Sequence, residues 1–274
     1  MASDLTYIGS KGSVDMIGGG VYAGSALDIR GYRWGFDGSS GRMLRSLVKV
    51  DAEMRVWFDD KSKADELRRV ADADIRDGVP GRLETRDGWS QSAYVYGSAP
   101  DVVTANGVGC VLNVYLVDGV WRKYETTEFS PTVGAESDSI DLPHDMPYDL
   151  APPPATSMLE VGSDSPANAK FIVYGPVIDP YIVIAGNTYS VNVSVPDGGY
   201  LTIDPFSRPK RVFVTDAQGN VSDCFGCAER GSGEGGGSYI FEKVPPGVHE
   251  VSWSNSFGFD VTVGLEEAVP PWSS

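Results

Sequence analysis

KSKADELRRVADADIRDG, residues Lys61–Gly78, is the stretch whose reading decides the fold. Ala64, Leu67, Val70, Ala71 and Ile75 recur at spacings of three and four, which draws one apolar stripe along a helix. Asp65, Arg68, Arg69, Asp72 and Arg76 share the opposite face. Ser62 stands where a cap is needed, with Asp65 three residues on as a weak form of the capping box. Gly78 stops the helix and Pro80 prevents its resumption. A stripe this narrow cannot hold a helix alone; it needs a sheet to lie on. Strand-like sequence flanks it on both sides, so the expectation is a β-domain with one helix, about 61–77, laid across it.

The totals agree with that expectation. A chain of 274 residues suits two domains. Its 33 glycines and 18 prolines, beside a single convincing helix, indicate an all-β protein rich in turns. The formal charge of −16 argues against nucleic acid as a tightly held ligand and against an acidic membrane surface. It suits a surface past which DNA slides without sticking. The N-terminus shows no basic region followed by an apolar core, and no run approaches the roughly 18 to 20 apolar residues of a membrane span. Three cysteines, Cys110, Cys224 and Cys227, require no disulfide, which fits a chain made in a reducing cytoplasm.

Before the helix the sequence reads as short strands broken by glycine: Leu5–Ile8, Val14–Ile17, Leu27–Trp34 with an irregularity at Gly31, Met43–Val50 and Glu53–Phe58. In the last, Met54, Val56 and Phe58 share a face. After the helix come two expected hairpins with Asp-Gly turns, at Asp87-Gly88 and Asp118-Gly119. The strand Val108–Val117 is apolar on both faces and should be central. From 134 to 168 proline, serine and aspartate dominate, which predicts a linker or arm between a domain over 1–133 and a domain over 169–274. Beyond it, eight short stretches (FIVYG, YIVIAG, TYSVNVSV, YLTID, RVFVTD, SYIFEKV, VHEVSWS and FGFDVTV) predict an antiparallel β-sandwich of jelly-roll type.

No constellation of reactive residues emerges. His144 and His249 are the only histidines, and there is no Gly-x-Ser-x-Gly elbow. Cys224-Phe-Gly-Cys227 is a lone Cys-x-x-Cys without the further ligands of a tetrahedral zinc site, so no metal is expected. Gly231–Gly237, GSGEGGG, lacks the Gly-Lys-Ser/Thr ending and the following helix of a phosphate loop. With Cys224–Arg230 it reads as a long mobile surface loop. Carboxylates are plentiful, but their separation is not legible in sequence. Tyr181, Tyr189, Tyr200 and Trp253 are candidates for stacking on sugars, against the plainer reading that strand aromatics are core. No catalytic residue, cofactor or metal ligand is assigned.

Three stretches, in order, resemble the distal tail proteins of long non-contractile-tailed phages. The first is the helix with VPGRLETRDGW and SAYVYG. The second is LNVYLVDGVWRKYETTEFSP leading into DMPYDL. The third is FIVYGPVIDPYIVIAGNTY, YLTIDPFSR, YIFEKVPPGVHEVSWS, FDVTV and PPW. The Cys224–Gly237 loop matches no part of that pattern. The resemblance implies a structural protein of the virion tail tip, not an enzyme, assembled in the host cytoplasm. It implies a hexameric ring that joins the tail tube protein to the baseplate hub and leaves a channel for DNA. The N-terminal domain would make the ring, and a galectin-like C-terminal domain would point outward toward receptor-binding proteins or host glycan. The alternative is a carbohydrate-binding β-sandwich module, lectin-like or accessory to a glycosidase. Self-association into a closed ring separates the two readings.

Overall fold

A computed structural model describes residues 5–17, 21–27, 29, 34–37, 42–45, 51–117, 119–131, 157–207 and 209–270. The chain is antiparallel β-structure with one α-helix among the described residues. It divides into two compact units, one formed by residues 1–123 with 266–274 and the other by residues 124–265.

The first unit contains β1 (Leu5–Gly9), β2 (Gly12–Ile17), β3 (Val21–Leu27), β4 (Trp34–Asp37), β5 (Arg42–Arg45) and β6 (Asp51–Phe58). The helix α1 (Lys61–Asp77) follows, then β7 (Gly81–Thr85), β8 (Ser90–Val103), β9 (Val108–Leu116) and the start of β10 (Trp121–Phe129). Seven strands pair in the order β2-β1-β7-β8-β9-β6-β3, every pair antiparallel. The alternation in β6 is as expected: Ala52, Met54, Val56 and Phe58 are buried and the residues between them face outward or are half-buried. Of the expected strand Leu27–Trp34, Leu27 closes β3 and Trp34 opens β4, while residues 28 and 30–33 lie outside the described residues. Gly31, His144, residues 46–50 and Asp118 lie outside the described residues.

The turn near Gly119 does not make a hairpin. Both edges of β9 are taken, by β6 and by β8, and β10 meets β8 through Arg122 and Ser90. This follows from the apolar composition that makes β9 central: a strand paired on both sides has no edge left for its successor. The turn at Asp87-Gly88 does close a hairpin between β7 and β8.

The helix packs against β1, β2, β6, β8 and β9. Its N-cap is Asp60, not Ser62: the Asp60 carboxylate accepts the Ser62 N–H at 2.8 Å. Gly78 ends it in the left-handed region at φ 67°. Leu67, Val70 and Ala71 are buried as expected, and the polar face is exposed. The stripe's last member differs. Ile75 is 46% exposed, and the buried residue is Asp74. Asp74 stands seven residues after Leu67, four after Val70 and three after Ala71, at the centre of the apolar arc. Its carboxylate accepts the Tyr7 hydroxyl and the Ser10 N–H, each at 2.7 Å. Space for it exists because Gly9 and Gly81 carry no side chain; a Cβ at Gly81 would stand 2.8 Å from an Asp74 oxygen and closer still to the Tyr7 hydroxyl.

The second unit contains β11 (Ser157–Val161), β12 (Asn168–Tyr174), β13 (Val177–Ile178), β14 (Tyr181–Ile184), β15 (Asn187–Ser190) and β16 (Ser194–Val195). After these come β17 (Tyr200–Asp204), β18 (Arg211–Thr215), β19 (Val221–Asp223), β20 (Gly247–Trp253) and β21 (Phe259–Glu267). One sheet runs β19-β18-β17-β12-β21 and the other β11-β20-β14-β15. Aromatic rings fill the space between them: Phe171 of the first sheet lies 4.7 Å from Tyr189 of the second, and Phe259 lies 5.1 Å from Trp253. Two boundary expectations change. Residues 157–161, read as linker, form β11, with Leu159 and Val161 buried against β20 as their partner strand. The first unit gives way to the second at 123/124 and not at 133, because Phe129 stacks on Phe259 at 4.7 Å in the second unit's core.

SYIFEKV is not a strand; Ile240 and Phe241 are buried in turns, and Val244 makes an isolated bridge to Ala167. The Cys224–Gly237 segment is fastened, not free. Asn192 N–H donates to the Cys227 carbonyl, Glu229 N–H to Ser190, Thr188 N–H to Gly237, and Gly235 N–H to the Glu242 carboxylate. A segment cannot pass over β15 and leave that strand's edge unpaired without cost, and these bonds satisfy it.

Two outcomes test the helix and its anchor. Leu67→Asp should lose several kcal/mol by burying an unpaired charge, whereas Arg68→Asp should stay within about half a kcal/mol of the parent, both read from denaturant unfolding. Tyr7→Phe should cost about 1–2 kcal/mol at neutral pH. Burial, then the Asp74 hydrogen bond and charge, push the Tyr7 phenol above its ordinary 10.0. The stability this gives is whole below pH 10.0 and falls as pH rises, since the unfolded chain releases the proton first. Tyr7→Phe should therefore show a shallower loss of stability above that pH than the parent.

Candidate interaction surfaces

The residues proposed for sugar stacking do not converge. Tyr189 is 2% exposed, packs on Phe171 and donates its hydroxyl to the Glu242 carbonyl at 3.1 Å. Trp253 is 8% exposed, and its Nε1–H donates to the Phe257 carbonyl at 3.0 Å. Both belong to the core. Tyr181 and Tyr200 are exposed, but on strands of different sheets. Strand aromatics alternate between faces, so residue type alone could not separate these two pairs.

The reactive candidates are equally dispersed. His249 is held through Nε2, 2.8 Å from the Pro245 carbonyl oxygen. Cys110 and Cys224 are buried and Cys227 is exposed; all three are free thiols. Burial pushes the Cys224 thiol up, away from the thiolate that would bind a metal or attack a disulfide. Among the described residues no group of three or more His, Cys, Asp or Glu could hold a metal ion. No helix among them is long and apolar enough to cross a membrane.

Surfaces that sequence reading missed gather in the second unit. Tyr174 ends β12, and its hydroxyl donates to Asp260 Oδ2 on the neighbouring β21 at 2.6 Å. This bond, then burial and the charges of Asp260 and Glu128, push the phenol up to about 12, so it is a hydrogen-bond donor at neutral pH and not a base. The pair lines a cleft of about 510 Å³ with Glu128, Phe129, Pro176 and Phe257. A second cleft of about 470 Å³ shares Pro176 and Phe257 with it and adds exposed Ile178 and Tyr181. A third, of about 600 Å³, lies at β18 and β19 and is lined by Lys210, Arg211, Phe213 and Phe225. A Lys-Arg pair beside phenylalanine in so acidic a chain was the available signal.

In the first unit, β8 continues past its partner β7, which pairs only with residues 90–93. From Tyr94 to Val103 its outer edge has no partner strand among the described residues, while β9 covers the inner edge. Tyr96, Val102 and Val103 on it are exposed. Asp101 pairs with Arg55 from β6, and Pro100 occupies a position that suits an edge strand. Asp74 is the one buried carboxylate among the residues whose side chains are described; the other acids among them are exposed or half-buried.

Neither a family model nor any curated protein matches the sequence. Solved structures do match in fold. A chain of the phage P2 baseplate in its activated conformation with calcium aligns with a TM-score of 0.56 at 11% identity, over 98% of this chain and 100% of that one. The SPP1 Dit protein, described as a paradigm of the hub adsorption apparatus in phages infecting Gram-positive hosts, aligns at 0.53 and 9% identity, over 96% and 99%. The phage p2 baseplate with strontium gives 0.55 and 12%, over 97% and 99%. The fold of this chain is therefore that of phage baseplate and Dit hub chains.

The core assignments predict a sharp contrast. Trp253→Ala should destabilise by about 3–5 kcal/mol and Tyr181→Ala by less than about 1 kcal/mol, measured by chemical denaturation.

Proposed function

We propose that this chain is a distal tail protein of a long non-contractile-tailed phage. It would form a hexameric ring at the tail tip, joining the tail tube to the baseplate hub and the receptor-binding apparatus. The single observation that carries this reading is the reach of the fold match, which spans 98% of this chain and 100% of a baseplate chain. A β-sandwich alone is common to many functions; a helix-bearing sheet followed by a sandwich, matched end to end, narrows the class.

The first unit would make the ring. A cyclic assembly needs a heterologous contact, one face of a subunit meeting a different face of the next. The unpaired outer edge of β8, with Tyr96, Val102 and Val103, is a surface that such a contact can cover. The second, galectin-like unit would face outward. The glycan-binding alternative is weakened by the burial of Tyr189 and Trp253, which leaves Tyr181 and Tyr200 on separate sheets.

Charge constrains the assembly. Six chains of −16 each repel unless their acids face solvent, and, among the residues whose side chains are described, the acids other than Asp74 do so at least in part. A negative channel wall would let DNA pass without adhering. Ring formation should strengthen as salt rises, because screening weakens the mutual repulsion. Sedimentation from micromolar concentration upward, at low and high salt with negative-stain imaging, should give closed rings. A strictly monomeric chain throughout, with no ring on adding the tail tube and hub proteins, overturns the reading.

A further inference from the structure

β19 is the terminal strand of its sheet, paired among the described residues only with β18. The Asp216 N–H donates to the Asn220 carbonyl at 3.0 Å, and the Cys224 N–H donates to the Val212 carbonyl at 2.9 Å. With Val214 opposite Ser222, these bonds fix which residues turn their backbone toward β18: Asn220, Ser222 and Cys224. Antiparallel pairing alternates, so the N–H and C=O groups of Val221 and Asp223 point away from the sheet. No described residue meets them. Two outward-facing residues spaced two apart are the template that an added strand requires.

Beside this edge, the cleft of about 600 Å³ opens on the outer face of the sheet. Val212 and Val214 point inward and are buried, which places Arg211 and Phe213 on the other face, with Asp223 opposite Phe213 and Val221 opposite Thr215. Two cations, Lys210 and Arg211, line the cleft, and Arg230 sits over the ring of Phe225, which also lines it. Each of the three stacks on a ring: Lys210 at 5.0 Å from Phe241, Arg211 at 5.3 Å from Phe213 and Arg230 at 4.5 Å from Phe225. None of the three makes an ion pair among the described residues. Asp223, the acid in the cleft, is already used, accepting the Phe225 N–H at 3.0 Å.

We propose that the β19 edge and this cleft dock an extended, acidic segment of a partner protein, taken up as an added strand. The outward backbone groups of Val221 and Asp223 bond the segment's main chain. Alternate side chains of the segment enter the cleft, where carboxylates meet Lys210 and Arg211 and apolar groups meet Phe213 and Phe225. Charge selects the occupant. A second copy of this edge would set cations against cations, whereas an acidic strand is repelled by most of a −16 chain and drawn to this edge. The proposal stands on the second unit alone, independent of whether the first closes a ring.

The test uses the full chain and a fluorescein-labelled dodecapeptide alternating Asp with Val, followed by anisotropy. Binding is expected, and none for the Lys/Val counterpart. Val221→Pro removes an outward donor that the fold does not use, and should weaken binding at least about tenfold. Lys210→Glu with Arg211→Glu should weaken it as much, with melting temperatures checked in each case. Amide exchange at Val221 and Asp223 should slow on binding. Absence of binding at millimolar peptide, or binding that Val221→Pro leaves unchanged, overturns the proposal. So does tighter binding of a sulfated polysaccharide that is indifferent to Val221→Pro, which would mean that the cations read a polyanion and not a strand.

Discussion

The first unit depends on one buried carboxylate. Asp74 joins the helix to the sheet by accepting the Tyr7 hydroxyl from β1 and the Ser10 N–H from the turn after it. A carboxylate taken from water is costly unless its oxygens find donors, so this arrangement holds only at one position of the helix along the sheet. Leucine and valine contacts could slide by a turn with modest loss; the two hydrogen bonds could not. Gly9 and Gly81 belong to the same constraint, since a side chain at either would occupy the space of the carboxylate or the phenol. The apolar residues supply stability, and Asp74 supplies register.

The second unit is fixed differently, by aromatic rings and not by a buried charge. Phe129, Trp253, Phe257 and Phe259 form one cluster and Phe171 with Tyr189 another. Where Tyr and Trp are buried, their polar tips reach backbone carbonyls, as the Tyr189 hydroxyl and Trp253 indole do. The Cys224–Gly237 segment closes over β15 through backbone bonds, and Asn187 adds a reciprocal pair with Tyr239. Glycine at several positive φ angles lets that segment turn tightly enough to make them.

With the interior settled this way, function moves to the surface. The clefts are lined by polar and apolar side chains together, and the Tyr7 and Tyr174 phenols are hydrogen-bond donors. What the described surface offers is strand edges, at β8 in the first unit and β19 in the second, in different electrostatic settings. The β8 edge lies beside an Arg55–Asp101 pair, whereas the cleft beside the β19 edge is lined by Lys210 and Arg211, each stacked on a ring. Edges of this kind are where a further strand can add.

Periodicity by itself determined the helix, its ends to within a residue or two, its polar face and the alternation of β6. The Asp-Gly turn at 87–88, the centrality of β9 and most of the strands after 169 were also legible, because each is dictated by neighbours in sequence. Tertiary structure decided the rest. Asp74 occupies the centre of a stripe whose pattern named Ile75, since which arc of a helix is buried depends on what the sheet offers opposite. Asp118-Gly119 carries the signal of a hairpin, yet β9 had already spent both its edges on strands distant in sequence. Tyr189 and Trp253 cannot be told from Tyr181 and Tyr200 by type, because burial is set by the second sheet that covers them. Lys210 and Arg211 share a cleft with Val221 and Phe225 only when β18, β19 and the turn after them are folded together, since residues apart along the chain act jointly only at close range in space.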